Sequence, residues 1–331
     1  KMKRQTNIIF LLFIACLVSF FLSLYFGSIS FSPRKILSLL FFKDKDVIPA
    51  EVFWKIRLPR VLLGLFIGGG LAVCGAVFQS LLRNPLAEPF TLGVSGGGAF
   101  GVSLALLAGA AAWGITVFSL SGCLFSIILV YSIAARKGFS GSALILGGIV
   151  LNFLFSSFVL LFMGLARSAQ IRSAVIWLMG DVSSAPVSSL GGIALLISVI
   201  VFFLFLFSRE LDLLALGSEK AHYLGLDAEK FKKMIFLLVS LVVGACVSVS
   251  GIVGFVGLMM PHFARKLVGP SHRKVIPVSF LSGASFFMLC DAFARNIVRP
   301  VQIPVGVITG ALGGIFFLVL LIRSEKWEMM T

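Results

Sequence analysis

The sequence predicts an all-α polytopic membrane protein of about ten transmembrane helices, with the N- and C-termini cytoplasmic. Three observations point to this class. Residues 89–135 contain no Asp, Glu, Lys or Arg, a stretch too long for one bilayer crossing of about twenty residues and about right for two. Hydrophobic residues make up 59% of the chain and charged residues 12%, with a mean hydropathy of +1.09, so there is too little polar surface to cover a water-soluble domain. The apolar runs are continuous and rich in Leu, Ile, Phe and Gly, whereas a β-barrel shows alternating segments of about ten residues. Helices are the reading that satisfies every backbone group in lipid.

Charge gaps and turn residues then place the elements in order. The run Ile8 to Gly27 follows Lys1, Lys3 and Arg4 like the core of a signal peptide, but it is longer than such a core and lacks an obvious small-residue cleavage site. A retained first helix over 8–27 is expected. The second span covers 58–82. Gly114, after Trp113, is the expected turn that divides the long uncharged stretch into 91–113 and 115–135. The short Phe139-Ser-Gly-Ser142 turn leads into 141–165, followed by 187–207. From Met234 to Arg265 the uncharged interior fits either one tilted helix or two crossings that turn near Ser250-Gly251. With the N-terminus inside, two crossings put Arg265, Lys266, Arg273 and Lys274 on the cytoplasmic side, and one crossing puts all four outside; the positive-inside tendency selects two, 231–250 and 252–267. Spans over 275–295 and 304–322 complete the set, and the whole chain, 1–331, reads as a single transmembrane domain.

The long hydrophilic segment Arg209–Lys233 carries Leu213, Leu214 and Leu216, then Tyr223, Leu224 and Leu226, interrupted by Gly217 and Gly225. This pattern predicts two short amphipathic helices within 210–230, lying against another protein or resting on the bilayer surface. Net charge is +15, yet Lys and Arg are scattered over short loops, so membrane topology accounts for them and a nucleic-acid partner is not expected. Arg57, Arg60, Arg167, Arg172, Arg295 and Arg299 fall near the outer ends of spans with few acids beside them. They read either as a basic outer face for an acidic partner or as snorkelling anchors. The five cysteines, Cys16, Cys74, Cys123, Cys246 and Cys290, sit singly in apolar runs and read as small buried hydrophobes, with no metal site expected. Gly96-Gly-Gly98-Ala-Phe-Gly101 matches the dinucleotide fingerprint by letter, but it follows no strand and opens an apolar helix. Close helix packing is the better account, as for Gly64/Gly68 and Gly251/Gly254/Gly257.

Several longer motifs carry a resemblance. Arg57-Leu-Pro-Arg60, the run GGGLAVCGAVFQSLLRNPLAEPFTLGVSGGGAFG from Gly68 to Gly101, LALGSEKAHYLGL from Leu214 to Leu226, GFVGLMMPHFAR from Gly254 to Arg265 and IPVGVITGALGGIFF from Ile303 to Phe317 together resemble FecCD-type permease subunits. These are the membrane halves of ABC importers for ferric siderophores, haem and cobalamin. The resemblance implies a multi-pass chain of a bacterial or archaeal cytoplasmic (inner) membrane that pairs with itself or a close relative around a translocation pathway. It implies two cytoplasmic ATP-binding subunits and an extracytoplasmic substrate-binding protein as partners. The sequence has no GxxxxGK[ST] phosphate loop, so this chain is expected to be no enzyme by itself and to bind no cofactor, with ATP and Mg held by the partner ATPase.

The resemblance also assigns residues. Leu214, Gly217, His222, Leu224 and Gly225 fall in coupling helices that seat on the ATPase, where glycine-bounded helices can pass on a rigid-body movement; His222 reads as an interface or surface residue. Arg57, Arg60 and Arg295 match residues that dock acidic side chains of the binding protein, a task suited to a bidentate guanidinium. For Arg295 an intrahelical pair with Asp291, one turn earlier, is the competing account. Gly141 and Ser142 match a cytoplasmic gate, with Asn152, Ser156 and Ser157 following on the same helix toward the pathway. Asn152 has an interhelical hydrogen bond as its alternative. The expected function is the permease subunit of an importer of an iron complex, with cobalamin as the alternative cargo. An ion-coupled secondary transporter would need intramembrane acids, and Asp291 is nearly alone. An intramembrane enzyme would need an HExxH motif, a Ser–His pair or a carboxylate pair at membrane depth, and none is legible.

Overall fold

The computed structural model describes residues 2–27, 32–41, 47–183, 185–298 and 301–323, and helix is the only regular structure among them. The all-α expectation holds. Lys1 and Arg299, read above as flanking cations, lie outside the described residues. In chain order the helices are α1 (Met2–Tyr25), α2 (Pro33–Phe41), α3 (Val47–Glu51), α4 (Leu58–Leu81), α5 (Val94–Leu107), α6 (Ala112–Ala135), α7 (Gly141–Leu165), α8 (Ser168–Leu178), α9 (Ser189–Leu206), α10 (Ser208–Ala215), α11 (Ser218–Tyr223), α12 (Ala228–Ser250), α13 (Val256–Val268), α14 (His272–Ala294) and α15 (Val305–Arg323). Among the described residues, seven helical stretches are long and apolar enough to cross a membrane. Ten helices fall on the ten predicted segments, of which α5 and α13, with 14 and 13 residues, are too short to cross alone at 1.5 Å per residue.

The differences from the sequence reading have local causes. The turn between α5 and α6 falls at 108–111, where Gly109 takes φ +68°, while Gly114 lies inside α6. A left-handed residue ends a helix more sharply than a glycine already in helical conformation, so Gly109 wins. Between α12 and α13 the chain breaks at Gly251 and Phe255, with φ of +65° and +67°, which decides for two helices in the 234–265 region. α8 occupies a stretch read as outer loop. A π-helical turn, Val52–Arg57, joins α3 to α4, making Pro49–Leu81 one continuous helical stretch of 33 residues.

α4 is the centre of the packing, buried along nearly its whole length. Its small residues allow backbones to meet: a Cβ on Gly68 would press on the Gly283 carbonyl of α14, and one on Gly75 would occupy the Gly257 carbonyl of α13. The Gly96–Gly101 run behaves in the same way. A Cβ on Gly97 or Gly101 would enter the backbone of α6 at Gly122 or Phe118, so these glycines serve close helix packing as expected. The five cysteines are buried and unpaired. Phe10, Phe153, Leu160, Leu195 and Leu318 are more than half exposed on the outside of the helices, the surface an apolar surrounding would cover.

Candidate functional site

A cavity of about 530 Å³ opens between α5, α7 and the two loops that precede α5 and α13. Phe90 of the 3₁₀ turn Pro89–Leu92 and Ile252 of the α12–α13 break form one end. These two loops are pinned to each other where the Phe255 N–H donates to Glu88 Oε1. The walls come from α5 (Ser95, Gly96, Ala99) and from successive turns of α7 (Ile149, Asn152, Ser156, Leu160). Among the described residues, no charged side chain lines it. Asn152 makes the interhelical bond weighed for it, its Oδ1 accepting the Gly96 N–H at 3.1 Å across the α5–α7 contact, and it also lines this cavity. Ser156 also lines the cavity. Ser157 sits one position round the helix, exposed, with its hydroxyl donating to Phe153 O at 2.9 Å, and it does not line this cavity.

Gly141 and Ser142 open α7. The helix is capped by Ser140, whose Oγ accepts the Ala143 N–H at 3.2 Å. Gly141 faces Leu82 with room for a Cβ and Ser142 is exposed, so this turn presents small groups at the α7 terminus.

At the end of the bundle where α4 and α14 begin and finish respectively with Arg60 and Arg295, the arginines expected to dock a partner bond within the chain. Arg57, Arg60 and Arg295 are buried, together with Asp291. Arg60 grips Asp291 with Nε at 3.0 Å and Nη2 at 2.8 Å, and its Nη1 donates to Gln302 Oε1 at 2.8 Å. Arg295 reaches the other carboxylate oxygen of Asp291 at 3.0 Å and donates to Ser23 Oγ at 2.8 Å and Phe26 O at 3.1 Å in α1 and its end. Arg57 donates to Leu24 O at 2.9 Å. Within the chain their forks tie α1, α4 and α14 together. The Asp291–Arg295 pair read as the alternative is formed. A contact 231 positions apart, Arg60 with Asp291, leaves no local signal in sequence.

At the opposite end α10 and α11 form the predicted pair of short helices. Gly217, at φ +109°, makes the corner between them and Gly225, at φ +86°, ends α11. Leu211 and Leu214 are buried against the bundle, whereas Tyr223, Leu224 and His222 face outward, with Tyr223 88% exposed. Leu214 is thus an internal anchor and Leu224 a presented one. Lys232 Nζ donates to Ser218 Oγ at 2.7 Å, tying the start of α11 to α12. Asp212 of α10 contacts Ser271 and His272 at the start of α14, and His272 in turn contacts Ser80. This Ser–His contact lies at the end of the bundle, between residues 192 positions apart. Partial burial alone would raise the Asp212 carboxyl, but the hydrogen bonds from His272 and Ser271 outweigh it and hold the group below its ordinary value.

The structure is thus a helical bundle with a glycine-packed centre, a cavity beside α5 and α7 and a pair of short helices at one end. The chain belongs to the FecCD transport family, whose profile matches residues 15–323. It is 33% identical over 337 residues to the iron(3+)-hydroxamate import system permease protein FhuG of Bacillus subtilis (strain 168), covering 98% of this chain and all of that one. To the cobalamin import system permease protein BtuC of Halobacterium salinarum it is 38% identical over 281 residues, covering 82% of this chain and 73% of that one. A solved metal-chelate type ABC transporter in an inward-facing conformation superposes with a TM-score of 0.87 at 31% identity, over 96% of this chain and 99% of that one. Members of this family are permease subunits of ABC importers, with the ATPase on a separate chain.

Proposed function

We propose that this chain is the transmembrane permease subunit of an ABC importer that carries an iron complex, a ferric siderophore or haem, into the cytoplasm, driven by a separate ATPase. The observation that supports the iron complex best is the cavity between α5 and α7. Its lining offers Phe90, Phe153, Met163 and the short polar groups of Ser95, Asn152 and Ser156, without a charge. Such a surface suits a bulky chelate whose metal charge is already neutralised by its ligand, and does not suit a bare cation, which would lose its hydration shell with nothing in return. The cavity opens beside exposed Phe153 and Leu160 of α7, where a second permease subunit, identical or paralogous, completes the wall.

On this reading the chain crosses the cytoplasmic membrane ten times with both termini inside, and the α10–α11 tip faces the cytoplasm. Leu224, Tyr223 and His222 meet the ATP-binding subunit there, with Gly217 and Gly225 fixing the angle of the two helices. Gly141 and Ser142 close the inner end of the pathway. Docking of the extracytoplasmic binding protein is assigned to the end of the chain that carries Arg57, Arg60 and Arg295, which the resemblance matches to docking residues.

The test is the cellular content of iron, cobalt and molybdenum in cells lacking the chain and in cells with it restored, fed a ferric siderophore, haem or cobalamin. The expected result is a fall and recovery of iron alone. A fall in cobalt with iron unchanged selects the cobalamin reading, which the 38% identity to a cobalamin import permease makes the runner-up; no change in any metal overturns the import reading.

A further inference from the structure

Helix α14 opens without a side-chain cap of its own: Ser271, its first flanking residue, makes no capping hydrogen bond. The cap comes from α10. Asp212 Oδ1 accepts the His272 backbone N–H at 2.8 Å and the His272 Nδ1–H at 2.5 Å, and Oδ2 accepts Ser271 Oγ–H at 3.1 Å. A carboxylate is the group that the free N–H groups and the positive end of a 23-residue helix favour. Beyond the ring, His272 Nε2 lies 2.7 Å from Ser80 Oγ in the last turn of α4. An ionised carboxylate can only accept, so Nδ1 carries the proton that meets Asp212, while Nε2 shares a hydrogen bond with the Ser80 hydroxyl, which also lies 3.2 Å from Ala76 O. One string of hydrogen bonds therefore joins α10, α14 and α4.

Its order, Ser–His–Asp, is that of a hydrolytic triad. Ser80 and His272 are only 7% and 2% exposed, however, so no acyl group can approach Oγ and nucleophilic catalysis is excluded by access. What the string connects gives its role. On one side α10 runs through the Gly217 corner to the exposed tip at Tyr223 and Leu224. On the other, α4 and α14 are the two helices whose backbones meet at Gly68 and Gly283, so a displacement of either is shared by both. Leu211 and Leu214 also hold α10 to the bundle, but apolar contacts tolerate sliding. Three charge-assisted bonds onto one carboxylate fix direction as well as distance.

We propose that Asp212, His272 and Ser80 form a latch that transmits displacement of the α10–α11 tip to α4 and α14, and from α4, whose Leu71 carbonyl and the Pro89 ring both close on Gly257, to the Phe90 end of the cavity. These are positioning residues, and the latch rests on the reading that the tip seats on an ATP-hydrolysing partner. Substitution of Asp212 by Asn keeps the size but removes the charge and one acceptor oxygen; Ser80→Ala removes a single hydroxyl.

The test uses the complete reconstituted transporter with a single reactive thiol in the cavity, Ser156→Cys, and measures how far ATP changes its rate of labelling by a maleimide. In the otherwise unaltered complex ATP hydrolysis changes that rate. With Asp212→Asn or Ser80→Ala the ATP-dependent change shrinks by about fivefold, the factor for one net hydrogen bond, while ATP hydrolysis continues; the double variant is no worse than the worse single one, and Asp212→Glu recovers part of the response. A role in stability alone would lower hydrolysis and labelling together and leave their ratio as it was. An undiminished ATP response in both single variants overturns the latch. If the ATPase does not co-purify with the unaltered chain, the reading on which the latch rests fails first, and the latch with it.

Discussion

Asp291 is held between two guanidinium groups, and the fate of that carboxylate decides whether three helices stay together. Removing one member of a buried ion pair leaves the other charges without compensation, at a cost of about 3–5 kcal/mol. Asp291→Asn keeps the volume and one acceptor but leaves Arg60 and Arg295, both under 10% exposed, facing a neutral amide. We expect this variant to lose most of its folded yield in detergent and to melt well below the parent, measured by size-exclusion profile and thermal unfolding. A variant with unchanged melting would show that the arginines find other acceptors, Gln302 and Ser23 being nearest. Sequence alone shows half of this arrangement. Asp291 and Arg295 are one turn apart on an apolar helix and can be paired by spacing, whereas nothing in the RLPR motif says that Arg60 faces inward toward a residue that lies most of the chain away.

At the scale of elements, the long apolar helices were legible because length and uncharged composition act within each segment. The short ones were not, and the reasons differ. α8 holds two arginine-flanked turns with Gln170 and Ser173, polar enough to read as loop; the capping contact of Gln170 with the Arg167 N–H is what makes it a helix. The π turn before α4 comes from packing and has no compositional sign. The α10–α11 pair was visible through its glycines and leucine spacing, but not which leucine pointed where. The structure separates them: Leu214 is 1% exposed and Leu224 60%. We therefore expect Leu224→Asp to leave a stable chain that no longer retains its ATPase on co-purification, since one exposed apolar anchor at the centre of an interface is worth about 2 kcal/mol or more. Leu214→Asp should instead lower the stability of the chain itself. Equal loss of folded protein in both variants would mean that Leu224 also packs internally.

For the whole molecule, fold and family were readable from motifs spread over nearly the full length, and the cavity was not, because it is assembled from α5, α7 and two loops that meet only in the folded chain. Asn152 and Ser156 stand out through the family resemblance, as polar residues following the matched turn on that helix; Ser95, Phe90 and Ile252 carry no such signal. A molecule that takes its energy from a partner has no means of its own to concentrate cargo. Liposomes holding the purified chain alone, under a proton or sodium gradient, are accordingly expected to accumulate no ferric complex. Accumulation would restore the ion-coupled transporter reading. The absence of charge from the cavity lining has an electrical consequence as well. A sodium ion or proton entering this cavity would meet a low-polarity wall with no counter-charge among the described residues, and leaving bulk water for such a place costs several kcal/mol at least. On the proposed reading of this cavity as part of the transport route, such a wall would insulate the idle route, so that cargo could pass without the membrane potential being discharged through it.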